Sequence, residues 1–345
     1  MSPTLGRSAV LIVTSDVPFD RVAPFRALHE RTPIVVARFG GDRRHAGQGV
    51  EDPGVPTLDI SERDVARTIR RGGWRAVVAG TIGRIALPSA YAAARSQRLP
   101  FVLWSALWSQ PHALSAPLLL HLYRRADAIA AYGEHVAAYA KARGARTVVI
   151  APQAVDPAFW SQQTAARRPG FHALYVGRTD PEKGVRVLLD AWSRAAPEPP
   201  AATLTLVGGD VPKPLHAGVA AAGRRSPEEV RNFLGTASVV VVPSIATRSF
   251  REPWGLVVNE AMHQQLPVIA TDAVGAAAGG LVRHERNGLV VPQGDAAALA
   301  GALRRLASDA PLRDELGANA ARDVAAFTPE AWAAGMETAV EATTR

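Results

Sequence analysis

Arg251 to Asp272 reads REPWGLVVNEAMHQQLPVIATD. Glu252 stands eight positions ahead of Glu260, with Pro253-Trp254-Gly255 between the first glutamate and an apolar run at helical spacing. Gly255 lets the backbone turn tightly into a helix whose first N–H groups come from Gly255, Leu256 and Val257. Such a start suits an anion, because N–H groups ahead of the hydrogen-bonded ladder and the positive end of the helix dipole point at one spot. At the rise of a helix, Glu260 lies about one turn, roughly 6 Å, further along the axis. A ligand touching both carboxylates and the helix start would carry a phosphate between hydroxylated groups, as a nucleotide sugar does. Without further context the same residues read as two surface glutamates flanking a core helix.

The context lies upstream. Leu174-Tyr175-Val176-Gly177-Arg178 reads as a short buried strand that breaks at a glycine. Thr179-Asp180-Pro181-Glu182 leads to Lys183-Gly184, after which Val185, Leu188, Leu189 and Trp192 recur at helical spacing. Arg178 and Lys183, five residues apart on this loop, can converge on a pyrophosphate. Charge-assisted hydrogen bonds of that kind contribute about 1.5–3 kcal/mol each.

Glu252-x7-Glu260 with Ala261-Met262 and Leu266-Pro267-Val268-Ile269-Ala270, preceded by Gly177-Arg178 and Lys183-Gly184, resembles a large family of retaining GT-B glycosyltransferases. That family includes phosphatidylinositol mannosyltransferases and sucrose synthases and is numbered four in the usual classification. The resemblance is good over roughly residues 145 to 330 and weak before them. It implies an α/β GT-B fold, with two Rossmann-like doubly wound domains facing across a cleft. The activity implied is transfer of a hexose-like sugar, with retention, from a nucleoside diphosphate (UDP-, GDP- or dTDP-sugar) to an acceptor hydroxyl of a glycan, glycolipid or natural product.

The resemblance also implies roles for single residues. Glu252 would contact the transferred sugar, Glu260 the ribose, and Arg178 and Lys183 the donor phosphates, which makes Glu252, Arg178 and Lys183 the catalytic candidates. Gly177, Trp254, Gly255 and Leu256 complete the donor site. Gly223 and Arg224 fall near the nucleobase, by position after the strand ending Val207-Gly208-Gly209-Asp210.

The chain of 345 residues is longer than one compact core usually accommodates, so two domains are expected. A hydrophobic content of 48% with 20% charged residues is that of an ordinary globular protein. There is no cysteine, hence no disulfide framework or thiolate metal site. The apolar run Ala9 to Val13 is too short for a signal peptide or a membrane span. The expected location is cytoplasmic, or peripheral to the inner face of a membrane, and the abundance of Ala, Arg, Gly and Pro suggests a high-GC bacterial source. No Asp-x-Asp occurs, and the nine histidines show no zinc-binding spacing, so neither metal nor cofactor is expected. Arg178, Lys183 and the helix start near Gly255 would stabilise the leaving diphosphate instead.

Short apolar runs without polar alternation mark strands covered on both faces. They fall at Val10–Thr14, Ile34–Arg38, Ala76–Ala79, Phe101–Trp104, Ala128–Tyr132 and Val148–Ile150, then at Ala173–Val176, Thr203–Val207, Val239–Val242, Val268–Ala270 and Leu289–Val291. Helical patterns lie between many of them, one opening at Ser61-Glu62-Arg63-Asp64 like a capping box. The alternation predicts parallel, doubly wound sheets. The segment PQAVDPAFWSQQTAARRPG, residues 152 to 170, holds the expected boundary. The predicted division is 1–156 for an acceptor domain, 157–327 for a nucleotide-sugar domain, and 328–345 for a helix crossing back to the first, opened by Thr328-Pro329-Glu330.

Charge divides at that boundary. Residues 1–156 hold 20 Lys+Arg against 12 Asp+Glu, a net of +8, whereas residues 157–345 hold 19 of each. A basic acceptor domain suits an anionic acceptor or an anionic membrane surface, and solubility charge is the plainer alternative. No nucleic-acid module is present. Leu118-Leu119-Leu120-His121-Leu122-Tyr123-Arg124-Arg125 reads either as a core helix with one solvated turn or as a membrane-surface helix end.

The first half departs from the family pattern. In place of a glycine-rich loop stands Ser15-Asp16-Val17-Pro18-Phe19-Asp20-Arg21, which makes Asp16 and Arg21 acceptor-contact candidates. Where relatives often place a histidine after the fourth strand, this chain has Trp104 and Ser105, and His112 follows on a loop. Two alternatives stay open: a GT-B-fold sugar-nucleotide epimerase or phosphorylase, and a non-catalytic sugar-nucleotide-binding partner of another transferase. A phosphorylase would need a cofactor lysine in the second half, where only Lys183 and Lys213 occur.

Overall fold

The computed structural model describes residues 8–40, 52–111, 113–195, 202–210 and 215–343. His112 and Lys213 lie outside them. The chain divides into two compact units, one of Met1–Asp156 with Phe327–Arg345, the other of Pro157–Ala326.

The N-terminal unit is built on seven strands: β1 (Val10–Thr14), β2 (Ile34–Arg38), β3 (Thr57–Asp59), β4 (Ala76–Gly80), β5 (Phe101–Ser105), β6 (Ala128–Ala131) and β7 (Val148–Ile150). They form one parallel sheet in the order β3-β2-β1-β4-β5-β6-β7. Val10 pairs with Ile34 on one side and Ala76 on the other, so the order reverses between β1 and β4. Successive strand residues point to opposite faces, and both faces are covered. Leu11, Val13, Val77 and Ala79 pack in one layer with the helices Val65–Arg71, Ala86–Ser96 and Ala116–Arg125. Val10, Ile12, Val78 and Val102 pack on the other with Phe25 of the helix Phe19–Arg31 and with Trp332, Met336 and Val340 of the helix Pro329–Glu341.

That last helix starts where its sequence says it should. Thr328 Oγ1 accepts a hydrogen bond from Ala331 N–H at 3.1 Å, and Pro329 takes the first helical position. It lies against the helix Phe19–Arg31 and against β6 and β7.

The C-terminal unit holds six strands: β8 (Phe171–Gly177), β9 (Ala202–Gly208), β10 (Val219–Gly223), β11 (Val239–Val242), β12 (Val268–Thr271) and β13 (Gly288–Val291). They are again all parallel, in the order β10-β9-β8-β11-β12-β13, with the reversal between β8 and β11. Leu188 and Trp192 of the helix Val185–Ala195 and Leu299 and Leu303 of the helix Ala296–Ser308 cover one face.

All eleven expected strands are present, within one or two residues at their ends. Two were not expected, β3 and β10. Both are edge strands with half-exposed residues, so the continuous apolar run that marks a strand covered on both faces is absent from their sequences. The capping-box reading at Ser61 needs correction. The helix begins as a single 3₁₀ turn, Glu62–Asp64, and Ser61 Oγ donates to the Asp64 carboxylate at 2.7 Å rather than accepting a backbone N–H. A complete capping box occurs instead at Ser226 and Glu229, ahead of the helix Pro227–Thr236. Among the described residues no helix is long and apolar enough to cross a membrane.

Candidate functional site

In a doubly wound sheet, ligands bind beyond the carboxyl ends of the strands, where the strand order reverses. In the C-terminal unit that point lies between β8 and β11. β8 ends at Gly177, and Arg178 to Asp180 lead into a 3₁₀ turn, Pro181–Lys183. Gly184 follows at φ +71°, and a Cβ there would stand 1.9 Å from the Pro243 carbonyl oxygen. Only glycine fits, and the close approach sets Lys183 beside the end of β11. Ile245 N–H donates to the Glu182 carbonyl at 2.9 Å and ties the two loops together.

Across the reversal stands Glu252. Its N–H donates to Ala273 O at 3.2 Å and its carbonyl accepts from Gly275 N–H at 3.0 Å, so its backbone is fixed to the segment after β12. Lys183 Nζ lies 2.5 Å from Glu252 Oε2, and Ser244 Oγ donates to the same oxygen at 2.9 Å. The side chains of Lys183 and Glu252 are 17% and 10% exposed. A carboxylate withdrawn this far from water needs such partners, and the pair supplies both charge and hydrogen bonds. Nearby, burial pushes the Tyr175 phenol above its ordinary range, and the Glu252 carboxylate adds to the effect.

Gly255 adopts φ +86° and turns the chain into the helix Val257–His263. The first bonds there run from Val258 N–H to Gly255 O and from Glu260 N–H to Leu256 O, with the N–H groups of Gly255, Leu256 and Val257 ahead of them. Glu260 is half-buried in the first turn. Gly223, at φ +69°, and the exposed Arg224 stand at the carboxyl end of the edge strand β10, two strands from β8.

Not every expected donor residue faces this edge. Arg178 does not join Lys183; its guanidinium pairs with Asp180, at 57% exposure. Trp254 is 2% exposed, and its indole N–H donates to Asn259 Oδ1 at 2.7 Å within the core. The indole, expected at the donor, is buried and bonded behind the helix start. Ser244 was missed. The available signal was a hydroxyl two residues after the four-valine run Val239–Val242.

In the N-terminal unit the reversal between β1 and β4 places Asp16 just beyond the end of β1, where Ser15 Oγ donates to its carboxylate at 2.9 Å. Arg21 is 8% exposed. Its Nη2 donates to Gln153 Oε1 and to Tyr132 Oη at 3.3 Å, and its guanidinium lies 5.0 Å from the Trp104 ring centre. Trp104 and Ser105 belong to β5, which runs one residue further than expected, paired with Gly80 of β4 and Ala131 of β6. Trp104 packs against Phe25 and Trp332, and the fully buried Ser105 Oγ is 2.7 Å from Tyr123 Oη. Arg21, Trp104 and Ser105, the candidates for acceptor contact, are thus buried and partnered within the core of this unit. Asp16 is half-buried just past the end of β1.

A comparison with protein families matches residues 170–309, which carry the whole cluster around Lys183 and Ser244, to glycosyl transferases group 1. Residues 170–309 form a glycosyl transferases group 1 domain. Among curated proteins similar to this chain, a D-inositol 3-phosphate glycosyltransferase of Jonesia denitrificans is 33% identical over 168 residues, 45% of this chain and 39% of its own length. A protein of the same name from Stackebrandtia nassauensis is 34% identical over 211 residues, 52% of this chain and 45% of its own length. The chain thus spans less than half the length of these relatives.

Solved structures resemble the chain more widely. Anabaena Alr3699/HepE, in complex with UDP and glucose, superposes at a TM-score of 0.77 with 18% identity, covering 97% of this chain and 99% of its own. Sucrose-phosphate synthase from Thermosynechococcus elongatus does so at 0.73 with 20% identity, covering 96% and 98%. At these identities the likeness is one of fold, and the fold is GT-B. In the group 1 domain, the switch-point edge with Lys183, Ser244 and Glu252 is the candidate donor site.

Proposed function

We propose that this chain is a retaining, metal-independent glycosyltransferase that moves a hexose-like sugar from a nucleoside diphosphate to an acceptor hydroxyl. The observation that carries the reading is the Lys183–Glu252–Ser244 cluster at the switch point of a group 1 domain. A cation and a carboxylate held side by side can divide a donor between them, the cation taking a phosphate and the carboxylate a sugar hydroxyl. As the bond from the anomeric carbon to the phosphate oxygen breaks, negative charge collects on the diphosphate. Lys183, held at the switch point, stabilises that charge, and Arg178 joins it once it leaves Asp180. The acceptor oxygen bonds to the anomeric carbon on the same face, and its proton passes to the departing phosphate oxygen. Glu260 serves the ribose.

The Anabaena protein solved with UDP supports a uridine donor. The name D-inositol 3-phosphate glycosyltransferase, borne by similar proteins, supports an anionic acceptor, as does the +8 of residues 1–156. Asp16, at the reversal of the N-terminal sheet, is the proposed contact for an acceptor hydroxyl.

The test is a screen of nucleotide sugars by thermal stabilisation, followed by product analysis with phosphorylated polyols as acceptors. A ligand at a hundredfold excess over its Kd adds about 2.7 kcal/mol and visibly raises the melting temperature. The expected result is stabilisation by a UDP-sugar and a product with the donor's anomeric configuration. A free C2 epimer would support the epimerase instead. Binding without transfer to any acceptor would support a non-catalytic partner.

A further inference from the structure

Tyr175 is a buried titratable side chain at the donor edge with no part in the transfer chemistry. It is 3% exposed, stands two residues before β8 ends at Gly177, and packs in the layer of Leu188 and Trp192. Its hydroxyl donates to the Arg178 carbonyl, so the side chain reaches forward to the turn that follows its own strand.

The turn is built to make that bond. Gly177 pairs with Gly208 of β9, and Gly209 N–H donates to the Gly177 carbonyl at 3.4 Å. A Cβ on Gly208 would fall on that same carbonyl oxygen, so only glycine lets the two strand ends approach. Gly177 itself adopts φ +156°, and a Cβ there would stand 3.0 Å from the Tyr175 hydroxyl. The turn thus closes against β9 and against Tyr175.

The two cations of this loop are held by separate means. Lys183 N–H donates to the Asp180 carbonyl at 2.8 Å, Ile245 N–H holds the Glu182 carbonyl, and Gly184 lies against Pro243. None of those contacts involves Tyr175. Arg178 has Tyr175 at its carbonyl and Asp180 at its guanidinium. The side chains of the Arg178–Asp180 pair are 57% and 41% exposed, and so open an ion pair contributes little. The buried hydroxyl is the firmer hold on Arg178. Burial, with the Glu252 carboxylate adding to it, raises the pKa of the phenol, so the hydroxyl keeps its proton and remains a donor through neutral pH.

We propose that Tyr175 is a positioning residue. It fixes the Arg178 backbone so that the guanidinium, on leaving Asp180, swings to a donor phosphate rather than into solvent. The inference rests on the proposed donor site, in which Arg178 meets the diphosphate. Misplacing a catalytic group by about 1 Å can cost on the order of a hundredfold in rate. The plainer alternative is a bond that only stabilises the end of β8. Its loss would then cost the same whether or not Arg178 is present.

The experiment is a double-mutant cycle of wild type, Tyr175→Phe, Arg178→Ala and both together. Calorimetry reads binding of UDP, GDP and dTDP, and initial rates with the nucleotide sugar of the tightest binder read kcat and KM. Tyr175→Phe is expected to weaken nucleotide binding roughly three- to tenfold and to lower kcat on the order of tenfold. Acceptor KM should not change. In the Arg178→Ala background the same substitution should alter neither binding nor rate. Melting temperature should fall equally in both backgrounds, because the Arg178 carbonyl survives in Arg178→Ala. Equal losses of binding and rate in both backgrounds, or no loss in Tyr175→Phe, overturn the proposal. An Arg178→Ala variant that binds and transfers like wild type would overturn the donor-site role of Arg178, and the inference with it.

Discussion

Lys183 Nζ and Glu252 Oε2 stand 2.5 Å apart, so the cation proposed to meet a donor phosphate is paired with the carboxylate proposed to meet the sugar. A diphosphate entering the site competes with Glu252 for Lys183. The pair thus works against nucleotide binding in the empty site while it holds both groups in position for the reaction.

Glu252→Gln should therefore separate binding from transfer. Removing the competing charge is expected to tighten nucleoside diphosphate binding about five- to tenfold, the effect of about 1–1.4 kcal/mol. Transfer should fall on the order of a hundredfold or more. Lys183→Ala should lose both, and its melting temperature should drop because the Glu252 carboxylate loses the Lys183 ammonium beside it. Calorimetric titration and initial rates read these effects. Loss of nucleotide binding in Glu252→Gln would refute the assignment of roles.

Glu260 is expected to act on binding rather than on turnover. Glu260→Ala removes one charged hydrogen bond to the ribose, a loss of about 1.5–3 kcal/mol, or roughly ten- to a hundredfold in donor KM. Its kcat at saturating donor should stay within a few fold of wild type. A variant with normal donor KM and depressed kcat would place Glu260 elsewhere in the mechanism.

Chelation provides a third check. With Lys183 and Arg178 supplying the charge, transfer should persist at full rate in excess EDTA. An enzyme that stops in chelator and recovers with magnesium or manganese would contradict this.

Trp254 gives a stability prediction distinct from these. Trp254→Phe removes the indole N–H that meets buried Asn259 Oδ1 at 2.7 Å. Losing one partner of a buried hydrogen bond costs about 1–3 kcal/mol. The melting temperature should fall by several degrees, with donor KM little changed at temperatures where the variant is folded. A donor KM raised tenfold with an unchanged melting temperature would show that the ring touches ligand.

The N-terminal unit should be sensitive to alkali. Burial pushes the Tyr123 hydroxyl up to about 12, although its bond to Ser105 works in the opposite direction. The folded value lies above the unfolded one near 10, so this stabilisation is complete below pH 10. It is lost as pH climbs from 10 to about 12, because the unfolded chain gives up its proton first. Melting temperature should fall faster over that window in wild type than in Tyr123→Phe. Parallel curves would remove Tyr123 as the cause.

What could be read from the sequence followed burial. Strands covered on both faces, such as Val239–Val242, announce themselves as apolar runs, whereas the edge strands β3 and β10 do not. Residues of the site were legible where backbone demands one residue type, as at Gly184 and Gly255. Side-chain direction was not. Trp104 closed the expected strand and Ser105 fell one residue past it, and nothing in either residue announces which way its side chain points. Arg21 was singled out by the loop that replaces the family's glycine-rich one, and its burial was not legible because its acceptor Gln153 lies 132 positions away. Ser244 gained meaning only when Glu252 was placed beside it.

Trp332, Met336 and Val340 complete one face of a sheet whose strands all lie before residue 156. Ribosomal synthesis delivers the chain from residue 1 onward, so the first unit emerges with that face only partly covered, by the helix Phe19–Arg31, while the whole of 157–326 is still being made. The second unit is contiguous and can close as soon as it emerges. The part of the protein made first is thus finished last, and its apolar sheet face must be shielded through the interval, by transient burial or by a chaperone. Cutting the chain at residue 156 would leave that condition permanent.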